Sequence, residues 1–173
     1  MKTPSFIFLV IICTITHIIR TAYEILKHKK MLQPSKLSFI IIFTNMGLLW
    51  ASWIALCSSD IHEIYLPSVI NYLGLTLCLI GLICFVAALL TIKTLETYDG
   101  DLITKGIYSK IRHPMYLGFI LWLIGFPIFF GAGFSLFLAF IFVANVLFWR
   151  HLEEIELIER FPGYKEYKAK TYF

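Results

Sequence analysis

Of 173 residues, 59% are hydrophobic and only 15% charged, whereas soluble domains run near half apolar and a quarter charged. That balance excludes an ordinary water-soluble globule and indicates an integral membrane protein. The net charge of +4 follows membrane topology, as the chain order shows, and gives no reason to expect a nucleic-acid partner.

The first apolar run, Phe6 to Ile19, follows Lys2 and is short enough to raise the question of a signal peptide. No A-x-A-like cleavage site follows it, and His17 to Arg20 lead directly onward, so an uncleaved first span is expected. Leu37 to Cys57 and Leu66 to Ile92 contain no charged residue, and about 18 such residues suffice for a helix to cross hydrocarbon. Met115 to Trp149 is a further uncharged run of 35 residues. As one helix it would be ~52 Å long against a hydrocarbon core of ~30 Å. Gly125, Pro127, Gly131 and Gly133 interrupt it, predicting two short helices with a tight turn near residues 126–133.

The expected fold is therefore an all-α integral membrane protein of five transmembrane helices, the last two a tight hairpin, with a cytosolic C-terminal helical tail. Residues 1–173 read as a single membrane-embedded domain, with three spans in 1–92 and a loop, hairpin and tail in 93–173. Five crossings place every Lys and Arg except Lys2 on one side: Arg20 to Lys36, Lys93 to Arg112, and Arg150 to Lys170. The positive-inside tendency then puts the N-terminus outside, and the C-terminus in the cytoplasm. Cys13, Cys57, Cys78 and Cys84 all lie within apolar spans, without CxxC or metal-ligand spacing, and read as small buried apolar residues.

Polar chemistry concentrates at the inferred cytoplasmic border. Lys27 to Lys30 suit anionic headgroups. In "KIRHPMYLGF", residues 110–119, Pro114 suits the first position of the fourth helix, with His113 near its cap. Free N–H groups there, beside Arg112 and His113, suit either an anion such as a carboxylate or a simple headgroup anchor. Leu152, Ile155 and Ile158 recur at helical spacing, so the fifth helix continues until Phe161, Pro162 and Gly163 stop it. Arg150 and Glu154 share a face and suit a helical ion pair. Glu156 and Glu159 read as a solvated face, whereas Glu153 and Glu154 stand within a turn of the membrane border. Tyr108, Tyr116, Tyr164 and Tyr167 fall at the same level, as belt anchors or, with the two carboxylates, as a cation site. Together these groups suit a ligand carrying an amino-acid carboxylate and a positive centre.

"LITKGIYSKIRHPMYLG", then R-x-x-E-E and F-P-G-Y-x-x-Y, covering about residues 100–168, resembles the isoprenylcysteine carboxyl methyltransferase family. Phospholipid methyltransferases share a related C-terminal half. The resemblance implies a membrane methyltransferase that uses S-adenosyl-L-methionine and acts on a lipidic or prenylated substrate, with its site at the cytoplasmic face. By position, Gly100, Asp101, Leu102, Ile103, Tyr108, Arg112, His113, Pro114, Met115 and Tyr116 would line the cofactor. Arg150 would face the acceptor and Glu154 the cofactor, with Glu153 an equal candidate because a one-residue gap before Tyr164 can be placed either way. Two departures stand out: the family often has His where this chain has Gly100, and the Pro-containing extension of many relatives is missing after the tyrosine pair.

A carboxylate acceptor needs only positioning, which Arg150 can give by bidentate pairing; an amine acceptor needs a base, for which Glu153 or Glu154 is nearest. Alternatives are phospholipid or other amine or thiol methylation, an NADPH-dependent sterol-type membrane reductase, and a non-enzymatic scaffold.

Overall fold

The computed structural model describes residues 2–32, 35–92 and 101–173. Its helices are α1 (Lys2–His28), α2 (Lys36–Ser58), α3 (Ser68–Ile92), α4 (Pro114–Phe130), α5 (Gly133–Arg160) and α6 (Tyr164–Lys170), with a 3₁₀ turn at Gly106–Ser109. Four of them, α1, α2, α3 and α5, are long and apolar enough to cross a membrane, and α4 is a shorter apolar helix. An all-α, multi-pass membrane protein fits this set. Large side chains such as Phe8, Leu90, Val69 and Phe140 are exposed on the outer faces, as a lipid solvent permits.

Because lipid tails are as apolar as leucine, the helices associate through close fit and not through the hydrophobic effect. Glycines supply that fit between α3 and α4. A Cβ on Gly74 would stand 2.7 Å from the Gly125 carbonyl oxygen, and one on Gly118 would stand 2.7 Å from that of Gly81. The two backbones thus touch at two levels, and the Trp122 indole fixes the register by donating to the Cys78 carbonyl at 3.0 Å. Gly125, read above as a helix breaker, is instead a packing residue inside α4.

Pro127 is also inside α4 and does not end it. It stands in the last turn, where its carbonyl accepts from Ala132 N at 2.8 Å. The turn is shorter than expected, Gly131 and Ala132 only, because Gly131 adopts φ +65°, a conformation that costs glycine little. The α2–α3 connection straps this turn: Ile64 N donates to Gly131 O at 2.7 Å and Gly133 N to His62 O at 2.8 Å. Beside it, buried Asp60 caps α5, accepting from both the amide and the hydroxyl of Ser135 at 2.7 Å. The opposite end gathers the C-terminal ends of α1, α3 and α5 with the start of α4. Trp53, Leu56, Leu123, Val146 and Trp149 fill the core between the ends.

Gly118→Ala should therefore destabilise the protein by about 1 to 3 kcal/mol through overpacking. Gly47→Ala, where a Cβ meets open space, serves as the control; thermal unfolding in detergent distinguishes the two, and equal midpoints would contradict the close α3–α4 contact.

Candidate active site

Pro114 opens α4, and His113 occupies the N-cap with φ −125°, since a residue preceding proline is pushed out of the helical region. The residues just before it, Lys110 to Arg112, lie against the segment that follows α6. Arg112 N donates to Tyr172 O at 3.0 Å, Tyr172 N donates to Lys110 O at 2.8 Å, and Ile111 and Tyr172 form a parallel bridge.

The side chains repeat that clasp. Arg112 directs Nε to Glu154 Oε1 at 3.2 Å and Nη1 to the carbonyl oxygens of Lys168 and Thr171. Lys168 Nζ reaches Glu154 Oε2 at 2.8 Å. Glu154 is only 6% exposed, so its charge is stable there only because both oxygens are engaged. The ion pair expected between Arg150 and Glu154 is not the one formed. Arg112 and Lys168, arriving from other segments, take both oxygens, and the Arg150 guanidinium lies instead 4.6 Å from the centroid of the Phe173 ring.

His113 is buried, with Nε2 3.6 Å from Glu154 Oε1 and 3.3 Å from the Tyr164 hydroxyl. Burial holds its imidazole below the usual histidine range, against the opposing pull of Glu153 and Glu154, which keeps it neutral near pH 7. Burial likewise raises the Tyr108, Tyr164 and Tyr167 phenols, so they stay protonated hydrogen-bond donors. Tyr167 uses its proton on the Tyr108 carbonyl at 2.6 Å.

On this face of α5, Arg150 and Glu153 have no ion-pair partner among the described residues. Arg150 Nε is buried with no hydrogen-bond partner, and among the described residues no carboxylate lies within ion-pair distance of the guanidinium. Glu153, three positions on, meets the Tyr116 hydroxyl, and no described cation pairs with it. A partly buried cation and a partly buried anion on one helical face can receive a ligand that bears both signs.

The structure thus brings together Tyr108, Arg112, His113, Pro114, Tyr116, Arg150, Glu153 and Glu154. Met115 adjoins them in the first turn of α4. Leu102 lines a neighbouring surface hollow of about 330 Å³ with Ser109, Tyr167 and Thr171. Asp101 is exposed, Ile103 is partly buried, and Gly100 lies outside the described residues. Lys168, Thr171, Arg20 and Glu24 escaped the sequence reading. The last two belong to α1, where Arg20 pairs with buried Glu24 near Tyr116 and Glu153. An Arg and a Glu four positions apart, directly after the first apolar run, were the available signal.

Replacing Arg112 with Gln should free the tail. Amide hydrogen exchange over residues 164–172 should accelerate about tenfold or more, since a hydrogen bond to a charged group contributes ~1.5 to 3 kcal/mol. Exchange in α3 and α4 should not change; an unaltered tail would contradict the clasp.

The chain also matches known proteins. Over 83 residues the chain is 42% identical to the Saccharomyces cerevisiae protein named Protein-S-isoprenylcysteine O-methyltransferase, a match covering 46% of this chain and 34% of that protein. The chain thus spans about a third of the length of the curated relative it matches. No solved structure matches it. Residues 69–163, from the start of α3 to the start of α6, match the family described as Phospholipid methyltransferase. More than half of the chain is covered by that match, and the protein belongs to the phospholipid methyltransferase family.

Proposed function

We propose that the protein transfers a methyl group from S-adenosyl-L-methionine to the carboxylate of a lipidic acceptor, a prenylated cysteine or a similar small amphiphile. The observation that carries this reading is Arg150: a partly buried guanidinium whose Nε is buried without a hydrogen-bond partner, and which has no ion-pair partner among the described residues. An amine acceptor has no use for such a cation, whereas a carboxylate satisfies it with two parallel hydrogen bonds.

The remaining side chains fit the methyl donor. Glu153, without a cation of its own, would balance the donor's positive charge beside the Tyr116 hydroxyl. Neutral His113 and protonated Tyr164 would offer hydrogen bonds from the α4 border. Glu154 would hold the arginine loop and the tail closed around the donor through Arg112 and Lys168. When bound, the donor supplies a methyl carbon already joined to a good leaving group. The chain's own work is then to bind, orient and keep out water. Alignment of this kind is worth ~7 to 11 kcal/mol when the reacting atoms are held ~3 to 3.5 Å apart. Phe173, lying over Arg150, would give way to the acceptor.

In this reading α4 also crosses, fourth in chain order, and brings the number of crossings to five. It packs antiparallel on α3 from the Gly118 level to the Gly125 level and ends at the strap from the α2–α3 connection. Five crossings put the N-terminus outside and the site at the cytoplasmic face, where the basic residues collect. A lipidic acceptor would then approach from the bilayer and the polar donor from the cytoplasm.

S-adenosylhomocysteine should raise the melting temperature of the detergent-purified protein, while NADPH should not; stabilisation by NADPH alone would point to a reductase. Glu153→Gln and Glu154→Gln should each weaken S-adenosyl-L-methionine binding about tenfold, the scale of one lost charged contact, and only Glu154→Gln should also speed exchange in the tail. Glu159→Gln should leave binding unchanged. Arg150→Ala should depress turnover of a farnesylated cysteine analogue far more than donor affinity; equal losses in both would contradict its placement on the acceptor.

A further inference from the structure

Helix α1 lies outside the matched residues 69–163, yet one of its faces is polar where α5 passes. Its residues converge on Trp149, the residue immediately before Arg150. The Trp149 N–H donates to Thr21 Oγ1 at 2.9 Å. An indole can only donate, so Thr21 accepts there and turns its own hydrogen elsewhere, towards His17 O at 2.7 Å or Asn145 Oδ1 at 3.0 Å. Asn145 Nδ2 in turn stands 3.3 Å from His17 Nδ1. The His17 ring stacks on Phe142 at 3.8 Å and on Trp149 at 5.6 Å, and the Arg20 guanidinium lies 5.7 Å from the Trp149 ring.

Polar groups at membrane depth are costly and are retained where they do a task. Here they grip one ring by its N–H and by two ring contacts. Trp149 is 1% exposed, so it has no other conformation to escape to. A fixed Trp149 fixes the rotation of α5 about its axis, and with it the direction in which the next side chain, Arg150, leaves the helix.

Resting on the methyl-transfer reading, we propose that Thr21 is a positioning residue: its hydroxyl, by holding the Trp149 indole, aims Arg150 at the acceptor carboxylate. The first helix is then part of the active-site scaffold and not only a membrane anchor.

Two substitutions separate this role from packing. Thr21→Val keeps the shape and removes the hydroxyl, whereas Thr21→Ser keeps the hydroxyl and removes a methyl. Thr21→Val should lower kcat/KM for a farnesylated cysteine analogue about ten- to a hundredfold, the scale of a small misalignment, with S-adenosylhomocysteine affinity unchanged. Thr21→Ser should stay near wild type. In the Trp149→Phe background, Thr21→Val should add nothing. The indole ¹⁵N–¹H resonance of Trp149, identified by its loss in Trp149→Phe, should shift in Thr21→Val and hold in Thr21→Ser. A serine variant as impaired as the valine variant, or a valine variant like wild type, would overturn the proposal. A wild-type protein that methylates nothing would instead overturn the methyl-transfer reading, and the indole resonance would then decide whether the Thr21 grip exists.

Discussion

The carboxylate of Glu154 is the point on which the architecture at the α4-entrance end of the helices depends. Burying it, together with the Arg112 guanidinium that meets it, costs several kcal/mol per ion before any attraction is counted. That cost is offset only because both oxygens are occupied, one by Arg112 and the other by Lys168. Removing either cation would leave a buried charge with half its partners, which is more damaging than never having built the pair. Three separate stretches of chain, the border of α4, the end of α5 and the tail after α6, are thereby held as one unit.

What this clasp leaves over marks the candidate site. Arg150 and Glu153 share the α5 face with Glu154, yet neither has an ion-pair partner among the described residues. Elsewhere the protein supplies the rigidity that keeps them where they are. Glycine contacts lock α4 to α3, and Asp60 anchors the far end of α5 by its Ser135 amide. A helix fixed at one end by a cap, and along its length by the Trp149 contacts with α1, can present a charged face without drift. Preorganisation of this sort is what a reaction that needs alignment demands.

Much of this was legible in the sequence because it is written in local terms. Uncharged runs marked α2 and α3, Pro114 marked the start of α4, and Phe161, Pro162 and Gly163 marked the end of α5. Arg112, His113 and Glu154 were singled out by type and by place. Lys168 was not, since it is one of three lysines in a basic tail and its partner stands 14 residues away on a different helix. The Thr171 carbonyl that receives Arg112 carries no side-chain signature at all. Gly125 was misread because a glycine that lets two backbones touch looks, in one dimension, the same as one that breaks a helix. The grip of α1 on Trp149 spans 128 residues, a separation over which no periodicity reports.

Photoaffinity labelling with an azido-S-adenosylmethionine analogue, followed by peptide mapping of the membrane-embedded protein, tests the central claim most directly. The account predicts label in both the 101–116 and the 150–168 segments, competed away by S-adenosylhomocysteine. Label confined to the opposite end of the bundle, around residues 59–67 and 131–133, or no competed label at all, would contradict it.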